Sequence, residues 1–253
     1  MNLLKKLLML VLIISLLGCD DKDSETITFG DAITINFNHY WDGEKVSSAD
    51  FNVETYTNAN NDILTISKLR YLVSNITLHK SDGSSTKLID YYLVDLSTLG
   101  NTSFSISDII DADSYSSISF TFGFNEADNI DGNYLDLNSA SWNWPAMLGG
   151  GYHFMQFEGK YGATGTENPF AYHNGTARVS TGVFEQNFFD VSLGGFSTTE
   201  NTTVEIKMNV DQWFENPYTW DLDTYNTTLM PNYDAQKLMQ QNGASVFSLG
   251  TIN

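Results

Sequence analysis

The feature that most constrains this chain is the two-residue period of its apolar positions. Ala32-Ile33-Thr34-Ile35-Asn36-Phe37-Asn38 alternates, as do Ile63-Leu64-Thr65-Ile66 and Leu69 through Leu78. On an extended strand successive side chains point to opposite faces, so this pattern buries one face and leaves the other to solvent. The same segments are rich in β-branched and aromatic residues, which suit strands. Further strands are expected over Leu88–Leu96, Ser116–Phe124, His153–Glu158, Thr176–Phe184 and Thr202–Asn209, with turn signals at Asp42-Gly43, Asp82-Gly83, Asp131-Gly132 and Asn174-Gly175. Strands at this spacing predict an all-β, antiparallel two-sheet sandwich. Two short helices near the C-terminus complete it: one begins near Asp211-Gln212-Trp213-Phe214, and one runs from about Asp234, its expected cap, to Gln241, with Gly243 ending it.

The N-terminus follows a different rule. Lys5 and Lys6 precede an apolar run from Leu7 to Leu17, closed by Leu16-Leu17-Gly18-Cys19. This is the pattern of a lipoprotein signal peptide over 1–18, with Cys19 as the lipidation site. The run is shorter than the roughly 20 residues that span a bilayer. Cys19 is the single cysteine, so an internal disulfide is excluded. An acidic tether over 19–27 follows, and a single domain is expected over 28–253. Acidic residues directly behind the cysteine resemble the surface-export signal of some Gram-negative lipoproteins, which leaves the periplasmic and the outer face of the outer membrane as alternatives. Cleavage removes Lys5 and Lys6 and no acidic residue, taking the formal charge from −19 to −21. Such a surface repels phosphate backbones and argues against a nucleic-acid partner.

The sequence has no phosphate-cradling glycine loop, no Gly-x-Ser-x-Gly elbow and no His-Glu-x-x-His. Its chemistry-bearing residues are four histidines, His39, His79, His153 and His173. Neutral imidazole is a common ligand for copper and zinc, and two or three converging would bind tightly. Each taken alone also reads as an ordinary strand residue, since His is intermediate in burial. In His39-Tyr40-Trp41 the imidazole and indole stand two apart and face the same way. Asp128, Asp131, Asn133 and Asp136 offer oxygen ligands at loop spacing but lack the full calcium-loop run. Glu158 and Asp190 form a carboxylate pair only if they face each other at glycosidase separation.

Several motifs together resemble the MbnP-like family of copper-binding proteins. They are the segment Leu69–Leu78, Tyr92-Leu93-Val94-Asp95, Phe122-Gly123-Phe124-Asn125, Trp142-Asn143-Trp144-Pro145, Gly150–Gly159, Phe170–Gly175, Trp213-Phe214-Glu215-Asn216-Pro217, Leu229-Met230 and Asn242-Gly243. The resemblance covers nearly the whole mature chain in order. It implies a β-sandwich of the cell envelope that binds copper through histidines, is not an enzyme, and carries a tryptophan oxidised by a partner di-haem enzyme of the MauG type. Carried onto this sequence, the ligands are His39 and His173, with His153 as a third candidate, and the modified residue is Trp41, Trp142 or Trp144. The alternative class is a glycan- or partner-binding surface lipoprotein with no metal role.

Overall fold

The computed structural model describes residues 32–97, 99–107, 113–199 and 201–253. The expected signal peptide, Cys19 and the tether lie outside the described residues. In chain order the strands are β1 (Ala32–Trp41), β2 (Glu44–Val46), β3 (Tyr56–Thr57), β4 (Ile63–His79), β5 (Ser85–Asp95), β6 (Ser103–Ser107), β7 (Ser114–Tyr115) and β8 (Ser117–Phe122). They continue with β9 (Met155–Tyr161), β10 (Asn168–Asn174), β11 (Ala177–Ser180), β12 (Val183–Glu185), β13 (Phe189–Leu193), β14 (Phe196–Ser197), β15 (Thr202–Asn209) and β16 (Phe247–Ile252). The α-helices are α1 (Leu135–Ser139) and α2 (Tyr233–Gly243). None of the described helices is long and apolar enough to cross a membrane.

Two sheets form the expected all-β sandwich. In the five-stranded sheet the order is β16-β15-β1-β2, with β6 also on β1; in the seven-stranded sheet β10-β9-β4-β8-β13 are successive neighbours, with β3 and β5 also on β4. Pairing is antiparallel except between β1 and β15, which run parallel over Ile33–Tyr40 and Thr202–Asn209. Alternation in β1 works as the period demands: Ile33, Ile35, Phe37, His39 and Trp41 are buried and their neighbours are not. Facing them from the other sheet are Tyr71, Phe120 and Phe122; Phe37 meets Tyr71 and Phe120 edge-on at ring separations of 6.2 and 6.3 Å. Each buried apolar side chain of this size contributes roughly 1.5–3 kcal/mol.

The two segments expected at 63–66 and 69–78 are one strand, β4. Its period is broken by register shifts between Ile66 and Lys68 and around Asn75, whose φ of 54° marks a bulge. The first half of β4 pairs with β9 and the second with β8. Between β8 and β9, residues 123–154 leave the sheet and build a small second core of Leu72, Phe124, Leu137, Trp142 and Tyr152. Leu72 points away from the inter-sheet core that its neighbours Tyr71 and Val73 occupy, so this segment covers the outer face of the seven-stranded sheet.

The turn signal Asn174-Gly175 lies in the break between β10 and β11. Three local expectations are corrected. The strand expected over 176–184 is a small hairpin, β11 and β12. Asn232, and not Asp234, caps α2, its side chain accepting from the Ala235 N–H at 3.1 Å. The helix expected near Asp211 is a 3-10 turn, Val210–Phe214.

Candidate metal centre

The outer face of the seven-stranded sheet carries a polar row. Register places Arg70 opposite Gln156 and Gln156 opposite His173, across β4, β9 and β10, while Lys68 stands opposite Glu158 one rung along. Arg70 donates to the Gln156 side-chain carbonyl from Nε and Nη2 at 3.1 and 2.7 Å. Glu158 accepts from Lys68 Nζ at 2.8 Å and from His173 Nε2 at 2.9 Å. The hydrogen bond from His173, aided by Lys68, outweighs partial burial and holds the Glu158 carboxyl down at about 2.

The chain from 141 to 153 folds back over this row. Gly149, Gly150 and Gly151 all adopt positive φ, 117°, 66° and 78°, which lets the segment reverse within three residues. His153 is thereby brought onto the row, its ring 5.3 Å from that of His173 and nearly perpendicular to it. Trp144 packs edge-on against His153 at 4.9 Å and Trp142 lies 5.6 Å from it. Arg70 stands over the Trp142 ring at 4.9 Å. Trp144 donates from Nε1 to the Leu148 carbonyl, whereas the buried Trp142 Nε1 has no partner among the described residues. A Cβ on Gly175 would come within 2.6 Å of the Trp144 ring, so only glycine fits behind that indole. From α2, Gln236 donates to the His173 carbonyl at 2.7 Å and accepts from Gly175 N–H at 3.1 Å, fixing the end of β10.

The tautomers of the pair follow from its partners. Nδ1 of His153 lies 3.1 Å from the Trp142 carbonyl, which can only accept, so that nitrogen carries the proton and Nε2 keeps its lone pair. His173 Nε2 faces an ionised carboxylate, so in the neutral ring Nδ1 keeps its lone pair. Burial, then the neighbouring His173, lowers the His153 pKa to about 4, against a smaller opposing pull of nearby carbonyls. His153 is thus held neutral at physiological pH with Nε2 as its nitrogen donor, and Nδ1 is the nitrogen His173 can offer beside it. Second partners on a carbonyl and a carboxylate are what metal-ligating histidines usually have. Paired imidazoles of this chemistry suit a copper ion, which such rings bind well, and the two rings lie 5.3 Å apart.

His39 is not part of this group. It projects from β1 into the inter-sheet core, 1% exposed, with Nε2 3.1 Å from the Tyr71 hydroxyl. Tyr71 follows Arg70 on β4, so its side chain is on the opposite face of the sheet from the His173 row. The expected joint site of His39 and His173 is therefore not assembled. Trp41 accompanies His39 in the core, packed against Tyr56 and Phe214. His79 bonds Ser119 Oγ at 2.7 Å, apart from the other three.

The remaining candidates disperse. Asp128 accepts from Asn125 and Asn75, and Asp136 from Tyr91, and among the described residues no group of three or more His, Cys, Asp or Glu could hold an ion. Asp190 accepts from Thr121, which pairs with Ser74, while Glu158 pairs with Lys68 six positions earlier on β4. That offset is about 20 Å, beyond the range of a glycosidase pair. Glu158 instead orients His173, a role with no local sequence signal. Arg70, Gln156 and Gln236 were also unmarked in the sequence, because only the register of β4, β9 and β10 and the docking of α2 give them their positions.

The MbnP family profile matches residues 30–231. The chain belongs to the MbnP family. Its fold is similar to that of MbnP from Methylosinus trichosporium, with a TM-score of 0.58 at 14% identity, over 87% of this chain and 98% of that one. A comparison with curated proteins finds no match. The matched span of this MbnP-family chain contains His39, His153, His173 and all three candidate tryptophans.

Proposed function

We propose that this MbnP-family chain is a copper-binding protein of the bacterial cell envelope, tethered through lipid at Cys19, with His153 and His173 as its metal ligands and no reaction of its own. The observation that carries the reading is the adjacency of two imidazoles, each with one nitrogen on an acceptor and the other without a hydrogen-bond partner among the described residues. His39, with its site buried among aromatic rings, serves the core. A copper ion bound here would be acquired, buffered or handed on. Of the three tryptophans, Trp142 and Trp144 touch a histidine of the pair, and Trp41 does not. Trp144 is the better target for oxidation by a di-haem partner, since the Arg70 cation over Trp142 opposes removal of an electron from that ring.

The test is copper uptake. Purified protein exposed to copper and stripped of excess is expected to retain about one ion per chain. His153→Ala and His173→Ala should each lose most of it, and His39→Gln should keep it. Full retention in a folded His153→Ala, His173→Ala double variant refutes the assignment. Intact mass of protein from the native host, compared with protein made without the partner, tests the oxidation, with added mass expected on the peptide containing Trp144.

A further inference from the structure

Two histidines leave a copper ion open to further ligands, and the described acidic and cysteine residues supply no third. Beside His173 the fold opens a cavity of about 390 Å³ lined by Pro145, Met147, Leu148, His173, Leu229 and Met230, among others. Its wall is almost wholly carbon and sulfur, and His173 brings the one ring nitrogen. Met147 sits on the 3-10 turn Ala146–Leu148 and is 77% exposed, an unusual placement for an apolar side chain this long. That turn is anchored to the histidine pair, because the Leu148 carbonyl accepts from Trp144, which packs on His153. From the other side Leu229, 3% exposed, pins the loop that presents the half-buried Met230.

We propose that Met147 and Met230 are thioether ligands that receive copper as Cu(I) and pass it to His173; the proposal rests on the copper reading above. Soft thioether sulfur selects Cu(I) over zinc and over Cu(II), which prefer nitrogen and oxygen. An unbranched methionine with three rotatable bonds swings its sulfur over several ångströms, enough to follow an ion from the mouth of such a cavity to a ring on its wall. The hydrated, doubly charged ions find almost no polar surface on this wall, where Thr228 brings the one side-chain hydroxyl, and are disfavoured at entry. The copper changes neither oxidation state nor charge on the way, so no redox partner is required.

The test compares wild-type protein with Met147→Leu, Met230→Leu and the double variant. Leucine conserves volume closely enough to leave the fold intact, which circular dichroism verifies. Under anaerobic conditions, competition with a chromophoric Cu(I) chelator is expected to show Cu(I) binding weakened at least about tenfold in the double variant. Cu(II) binding should stay unchanged, and X-ray absorption of the Cu(I) form should show a sulfur neighbour that the double variant lacks. Equal Cu(I) affinity in both proteins, or copper held by nitrogen alone in wild type, overturns the methionine role and leaves the histidine reading standing. Wild-type protein that takes up neither Cu(I) nor Cu(II) overturns both.

Discussion

The His39 ring bonds Tyr71 through Nε2, and its other nitrogen is buried without a partner among the described residues. Burial, with a small contribution from Lys45, lowers its pKa to about 3. The unfolded chain therefore binds a proton near pH 6.5 that the folded chain refuses until about pH 3. Stability from this group is fully present above 6.5 and is lost as pH falls toward 3. His153, lowered to about 4, acts with the same sign, whereas Glu158 and Glu205, both lowered to about 2, contribute only below their usual 4.5. Between pH 6.5 and 5 these two imidazoles act and the two carboxylates do not. Urea midpoints of copper-free protein across that window should fall with acid, and His39→Gln should reduce the slope by up to about 1.4 kcal/mol per pH unit. An unaltered slope in that variant would show that His39 is not held neutral. The residue is legible in sequence as a candidate ligand, because nothing local tells a histidine on the core face from one on the outer face.

Among the elements, the strands were the most legible and the site-bearing ones the least. The expected Thr202–Asn209 is β15 residue for residue, since its apolar residues Val204, Ile206 and Met208 fall at every second position. By contrast β10, which carries His173, does not read as a strand, because Pro169 lies at its start and its outer face, Pro169, Ala171 and His173, has a single polar residue to mark the alternation. Helix α2 was read from its cap and stop signals with the start two residues out. Its place in the site depends on Gln236, which bonds both the His173 carbonyl and the Gly175 N–H. Asn232→Ala removes the cap and is expected to cost about 1 kcal/mol in chemical denaturation. Because the helix start and the end of β10 are joined through Gln236, hydrogen exchange should speed up at the Ala235, Gln236 and Gly175 amides together. Faster exchange at the helix alone would separate the two.

For the whole molecule, the strongest sequence-level proposal outside the described residues is the lipid anchor. Cys19→Ser should abolish fatty-acid labelling and move the protein out of the membrane fraction, as measured by probe incorporation and fractionation. Continued labelling of that variant would refute lipidation at Cys19. The sandwich itself follows from local information, since a period of two commits each segment to one buried face wherever it pairs. The order of motifs along the chain likewise belongs to the sequence, and it carried the family. What the sequence does not contain is which of those faces meet. His39 and His173 are the same residue type beside the same aromatic neighbour, Tyr40 and Tyr172, yet the first faces the core and the second the outer row. That difference depends on pairing between positions tens of residues apart, on the two bulges of β4, and on the 123–154 segment folding back to lay His153 and two indoles over the row. Tertiary structure alone decides these, because contact between distant residues is set by register and packing, which no local pattern records.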